Sequence, residues 1–203
     1  MKPNNGFKYI IIILIILCTI LIVSCSTPAV SKIIETTQVT STTLDPEKQL
    51  KINDYNTKLN EFGTYINAKN DAVLQIDKEM NDLDKKRLEA GKAKDMQKAV
   101  AYMQIEKDKC EEIIKNLAKI FVPEITKEYN SYVVDHYIGL KQWMSYAINS
   151  YSDPSNFDSS KAESLMDNAN NAETKSNQEF QRIVKNLNNE AGELGLPIPF
   201  PNQ

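Results

Sequence analysis

The only histidine of this 203-residue chain, His136, falls among aromatic residues. Tyr129, Tyr132, His136, Trp143 and Tyr146 follow one another at spacings of three, four, seven and three. On a helix those spacings bring all five to one face. Rings with polar tips on one face are suited to a groove for a sugar, a cation or a peptide. The same spacing also describes aromatics packed at the edge of a core with their hydroxyls at water, which is the commoner use of such residues. Val133, Tyr137, Leu140 and Met144 form an adjacent stripe, so this helix is apolar over a wide arc and belongs at the centre of its domain.

Other chemistries can be tested by counting ligands and nucleophiles. A di-iron bundle needs Glu-x-x-His on two helices, and Val133 stands where the glutamate would precede His136. A zinc site needs several Cys or His ligands, and beyond the N-terminal segment the chain offers only Cys110 and His136. The pairs Asp82 with Asp84 and Glu111 with Glu112 read as solvated helix faces rather than a calcium site. There is no Gly-x-Ser-x-Gly turn, and Asp135 beside His136 points about 100° away from it on a helix. No catalytic residue, metal or cofactor is therefore expected. The net charge of −3 lacks the concentrated basic face that nucleic acid requires, so nucleic acid is not an expected partner.

The remaining reactive group is a thiol at the end of the N-terminal segment. Met1 to Lys8 is short, polar and basic, and Tyr9 to Val23 is an apolar run of 15 residues. That length matches the core of a signal peptide and falls short of the roughly 20 residues that span a bilayer. The run closes in Ile22-Val23-Ser24-Cys25. This tetrapeptide resembles the lipobox of bacterial lipoproteins, a signal that some archaeal lipoproteins also carry, with Ile22 where leucine is commoner. The resemblance implies cleavage between Ser24 and Cys25, with diacylglyceryl on the Cys25 thiol. Acyl chains contribute about 0.8 kcal/mol per buried methylene, so two or three hold a domain durably on a membrane. The alternative is an uncleaved transmembrane helix with Cys25 incidental. Lys2 and Lys8 favour an N-terminus inside the cell, so either reading puts the rest of the chain on the extracytoplasmic face of the cell membrane.

Ser26 to Thr43 holds nine Ser or Thr in 18 residues. Such a composition cannot bury enough surface to fold alone and reads as a tether. As a random coil it spans about 25 Å, and about 60 Å at full stretch. Past the tether only Cys110 remains, so no intramolecular disulfide is expected there. On the apolar stripe of a helix it reads as a small buried hydrophobe.

The elements that position these residues follow from hydrophobic periodicity. Asp45 is a good N-cap, and Pro46 and Glu47 suit a first helical turn. Ile52, Tyr55, Leu59, Phe62, Ile66, Val73, Ile76, Met80 and Leu83 then recur at spacings of three and four, interrupted by Lys69. This predicts one long helix to Ala90, ended by Gly91. A second stripe is read through Met96, Val100, Met103, Lys107, Cys110, Ile114, Leu117 and Phe121. Pro123 restricts Val122 to extended conformations, which predicts either a turn before a third helix at Glu124 or one long helix kinked at the proline. The third helix runs to about Ser150, and Ser152-Asp153-Pro154-Ser155-Asn156 is a turn. The fourth runs from about Ser159 to Ala191, stopped by Gly192 and Gly195. Its small residues Ala162, Ala169, Ala172 and Ser176 predict close packing against bulky partners on the third helix. The tail Leu196-Pro197-Ile198-Pro199-Phe200-Pro201 must be extended, and either docks on the bundle or presents a proline-rich ligand.

The expected fold is all-α: an antiparallel four-helix bundle spanning residues 45–195. It follows a leader (1–24) and a lipid-anchored linker (25–44), and a proline-rich tail (196–203) ends the chain. The layout also resembles uncharacterised helical lipoproteins that share a lipobox, a Ser/Thr linker and a Pro-Glu helix start. Their last helix is rich in Ala and Asn and ends in Gly-Leu. Here these are Pro123-Glu124, Ala169-Asn170-Asn171-Ala172 and Gly195-Leu196. That resemblance implies no activity. The expected function is a membrane-anchored, non-enzymatic module for protein interaction or envelope assembly, its partner an unknown envelope protein. The alternative is a small-ligand receptor using the aromatic face of the third helix.

Overall fold

The computed structural model describes residues 45–201. The segments expected to be a leader cleaved between Ser24 and Cys25 and a linker to residue 44, and the last two residues, lie outside the described residues. Within them the chain is an all-α bundle of four helices with no strand. The helices are α1 (Pro46–Lys92), α2 (Met96–Leu117), α3 (Lys127–Ser152) and α4 (Ser159–Leu194). None of them is long and apolar enough to cross a membrane.

Local chemistry sets the ends of these helices. Asp45, Asp95 and Asp158 each accept a backbone N–H of the helix they precede, satisfying donors that the first turn leaves free. Pro123 is extended at φ −59° and ψ 153° and leads into a 3-10 turn, Glu124–Thr126, before α3 begins. The Thr126 hydroxyl donates to the Pro123 carbonyl at 3.0 Å. The proline thus makes a turn, and the kinked-helix reading of this region is overturned. Gly195 adopts the left-handed conformation (φ +73°) that ends α4, a position glycine occupies without a Cβ penalty.

Contacts between helices fix their directions. Tyr65 meets Tyr129, Asp77 meets Tyr137 and Arg87 meets Trp143, so α1 and α3 advance together. Phe180 meets Tyr129, Ala169 meets His136 and Asp158 meets Tyr146, so α4 runs against α3. Lys109 pairs with Glu79 and Glu106 with Arg87, so α2 runs against α1. Extensive packing joins consecutive helices, while α1 and α4 approach closely over only a short stretch. At 47 residues α1 is about 70 Å long, roughly twice the length of α2. Beyond the end of α2, its N-terminal half is met by the last turns of α4 and by the tail: Lys58 pairs with Glu190, and Phe62 meets Phe180 and Phe200.

The small stripe of α4 is buried, and at Ala169, where its contact with α3 is closest, the partner is small rather than bulky. Ala162, Ala169, Ala172 and Ser176 are all buried. A Cβ built on Gly139 would lie 2.9 Å from both the Cα and the Cβ of Ala169, a separation only glycine permits. Replacing Gly139 with alanine gains up to about 1 kcal/mol of helix propensity but forces two backbones apart, at about 1–3 kcal/mol. The expected outcome is a net loss of about 1 kcal/mol in urea denaturation. Gly63, where a Cβ would meet nothing within 4 Å, is the opposite case. Gly63→Ala should raise stability by up to about 1 kcal/mol.

Candidate functional site

The face of α3 that carries the histidine is held from both sides, by α1 and by α4. Tyr129 is 2% exposed and lies edge-on to Tyr65, against Phe180, with the Lys69 ammonium 5.9 Å from its ring centre. Trp143 is also 2% exposed, with the Arg87 guanidinium 5.8 Å from its ring centre. These two are core. The other three form the rim towards α4. The Tyr132 hydroxyl donates to Glu128 at 2.9 Å, and Lys175 stands over its ring. Tyr146 accepts the Asp158 N–H and donates to the Asp158 carbonyl. With its ring beside Phe157, it pins the turn between α3 and α4.

His136 sits between these rim residues. Its Nδ1 lies 3.0 Å from the Ala169 carbonyl. A carbonyl can only accept, so Nδ1 carries the proton and Nε2 is the ring's open position. The carbonyl it binds belongs to the residue that Gly139 admits against α3, so the glycine contact and the histidine hydrogen bond fix one another. From Tyr129 to Tyr146 the face extends about 25 Å along the helix. The structure therefore distributes the five residues along the seams with α1 and α4 rather than gathering them round one space. Among the described residues no group of His, Cys, Asp and Glu is arranged to hold a metal ion.

A polar band next to this face was hidden in the sequence. Lys69, the apparent interruption in the stripe of α1, is 4% exposed, turned inward beneath Tyr129. Two turns further on, Asp77 accepts the Tyr137 hydroxyl at 2.9 and 3.0 Å. Burial pushes the Asp77 carboxyl above its ordinary range, against the pull of that hydrogen bond and of the nearby Lys69 charge. An anion without this hydrogen bond would be costly at such a position, and Tyr137 supplies it from the stripe beside the histidine.

The second buried centre joins α1 to α2. Arg87 and Glu106 are 3% and 1% exposed, and the guanidinium Nε lies 3.1 Å from Glu106 Oε2. Asp84, one turn back, also pairs with Arg87. Asp84 is therefore not part of a solvated face; Asp82 is exposed, as are Glu111 and Glu112 in good part. Glu106 also corrects the stripe of α2. The buried line is Ala99, Met103, Glu106, Cys110, Ile113 and Leu117, one residue out of step with the expected Lys107 and Ile114, while Phe121 is 77% exposed. A carboxylate goes inward here because Arg87 waits for it from the other helix. Cys110 is fully buried, and burial pushes its thiol up to about 12, helped by the charges of Glu106 and Asp77. It is an inert packing element.

Burial pushes the Glu106 carboxyl from 4.5 up to about 7, since desolvation outweighs the attraction of Arg87. An acid whose pKa is higher folded than unfolded makes the folded state bind the extra proton. Its stabilising contribution is thus full below about 4.5 and is lost as pH rises through about 7. In urea titrations the wild type should lose on the order of 1–3 kcal/mol relative to Glu106→Gln between those pH values. Parallel curves for the two proteins would contradict this.

The tail forms the third arrangement of note. Phe200 is 7% exposed and edge-on to Phe62. The Asn188 side chain donates to the Phe200 carbonyl at 2.9 Å and accepts its N–H at 3.1 Å. Docking, rather than free presentation, is the arrangement found. The sequence matches no protein-family model, and comparisons with curated proteins and with solved structures likewise return no match.

Proposed function

We propose that this protein is a lipid-anchored extracytoplasmic module that works by protein interaction or envelope assembly rather than by catalysis. The observation that carries the reading is the N-terminal sequence. A basic start is followed by a 15-residue apolar run ending in Ile22-Val23-Ser24-Cys25 and by a Ser/Thr-rich stretch. That order of segments delivers a thiol to the outer face of a membrane, gives it acyl chains and leaves slack before the folded part. The bundle supports the non-catalytic half of the reading. The histidine and the aromatic residues of α3 are engaged in contacts that hold helices together, as are Asp77, Arg87 and Glu106 in its buried polar centres.

In expressing cells converted to spheroplasts, added protease should degrade the bundle while a cytoplasmic marker stays whole. Protection equal to that of the marker would contradict the placement. Crosslinking on intact cells should shift the protein into defined larger species. Only monomer at every crosslinker concentration would contradict the assembly role.

A further inference from the structure

The seam between α1 and the last turns of α4 has the features of a peptide-recognition groove. Phe62 and Phe180 meet at 5.8 Å across it, giving an aromatic floor made by α1 and α4 alone. Asn188 offers a two-way fork, one donor and one acceptor, which matches the N–H and C=O of a single extended residue. Tyr55 precedes Lys58, which pairs with Glu190 across this seam, by one turn of α1; it is 2% exposed, and among the described residues its hydroxyl has no hydrogen-bond partner. A buried hydroxyl without a partner is rare in a finished core. Here it leaves an unused donor in the wall of the seam.

The segment that lies in this seam is built as a ligand. Pro197, Pro199 and Pro201 each fix one backbone angle of the tail before it binds, so less chain entropy is lost on docking. Phe200 is the one aromatic anchor, and the segment carries no charged side chain. Its attachment to α4 is a single joint: Gly195 at φ +73° and the Leu196 N–H on the Ala191 carbonyl at 2.8 Å. Among the described residues beyond Leu196, the only hydrogen bonds of the tail are the two to Asn188. Ile198 remains 43% exposed. The tail is thus held by Phe200, by one backbone fork and by lesser apolar contacts of Leu196 with the core and of Ile198 beside Gly192, and the first two do not depend on which chain the tail belongs to.

We propose that this seam is a peptide-binding site, filled by the chain's own tail as an internal ligand, and that the tail of a second copy takes the same place when two molecules meet. Such an exchange reuses Phe200 and the Asn188 fork and opens the joint at Gly195, the low-cost route by which identical elements are swapped between protomers. This inference does not rest on the lipid anchor.

The test uses the full chain and a fluorescein-labelled peptide of the tail sequence, Leu196 to Gln203. The peptide should bind Phe200→Ala saturably, and at least tenfold more weakly both to wild type, whose seam is already filled, and to the Asn188→Ala, Phe200→Ala double variant. No saturable binding to folded Phe200→Ala, or equal binding to all three, would overturn the proposal. Should circular dichroism show Phe200→Ala to be unfolded, hydrogen exchange on wild type decides. A Phe200 amide exchanging at least a hundredfold faster than that of Ile183 supports a tail that leaves the seam of an intact bundle, whereas equal rates overturn it. For the second copy, isotopically heavy and light chains with benzoylphenylalanine in place of Ile198 are mixed and irradiated. Mixed-mass dimers are expected, and crosslinks confined to single chains would overturn the exchange.

Discussion

Replacing Arg87 with alanine should destabilise the bundle by about 3–5 kcal/mol at neutral pH, because it leaves the buried Glu106 charge without its partner. Arg87 Nε stands 3.1 Å from the Glu106 carboxylate, and the two side chains are each 2% exposed. Water cannot take over the role of the guanidinium at such a site. Asp84 loses its partner by the same change, and Trp143 loses the planar group over its ring. Part of the loss should be recovered at pH 5. There Glu106, already pushed up to about 7 beside Arg87, takes a proton and stops being a buried anion. Removing both partners with apolar groups, Arg87→Met with Glu106→Leu, should cost far less than Arg87→Ala alone, because desolvation of the pair consumes much of its mutual attraction. Urea denaturation of wild type, Arg87→Ala and the double variant checks all of these outcomes. An Arg87→Ala loss below 1 kcal/mol, or one that is unchanged at pH 5, would contradict the account of this centre.

Trp143→Ala should cost a similar amount, about 3–5 kcal/mol, through the lost burial and the cavity left behind. Trp143 is among the largest fully buried side chains, and its neighbours on α3, Leu140 and Met144, are buried with it. The variant separates two uses of the aromatic face. A packing role predicts a large drop in the urea midpoint. A ligand-facing role predicts an unchanged midpoint together with the loss of a binding activity. The contacts of Tyr129, Trp143 and Tyr146 favour the first outcome.

Much of the fold was legible because it is written in local chemistry. Asp45-Pro46-Glu47 marks the start of α1, Pro123 and Ser152 to Asn156 mark turns, and Gly195 marks the end of α4, each through a backbone requirement that acts within a few residues. The line of α1 was legible through spacing, since Tyr55, Phe62, Ile66, Val73 and Ile76 are all buried. What escaped was non-local. Lys69 read as a break in that line because a charged residue normally faces water; it turns inward to Tyr129, a ring 60 positions away. The α2 line was placed one residue off because Lys107 and Glu106 are alike in polarity, and the choice between them is made by Arg87 on another helix. A signal did exist. Continuing the three-and-four spacing through Met80 and Leu83 arrives at Arg87, and tracing back from Cys110 by four arrives at Glu106. Opposite charges on the apolar seams of two consecutive antiparallel helices are candidates for a buried pair.

The aromatic face was legible as a face but not in its partition. Spacing alone could not tell that Tyr129 and Trp143 turn to the core while Tyr132, His136 and Tyr146 stay at the rim. That division depends on how close α4 comes, and Gly139 against Ala169 sets that distance. The docking of Phe200 was undetermined for a related reason. Its partners, Phe62 and Asn188, lie on different helices and meet only once the bundle has formed.

The claim on which the proposed role most depends concerns Cys25, and metabolic labelling with an alkyne analogue of palmitate tests it directly. The account predicts a labelled protein in wild type and loss of the label in Cys25→Ala, with the variant released from the membrane fraction or retained as an unprocessed precursor. Absence of label in the wild type, or equal label in the two proteins, would contradict it.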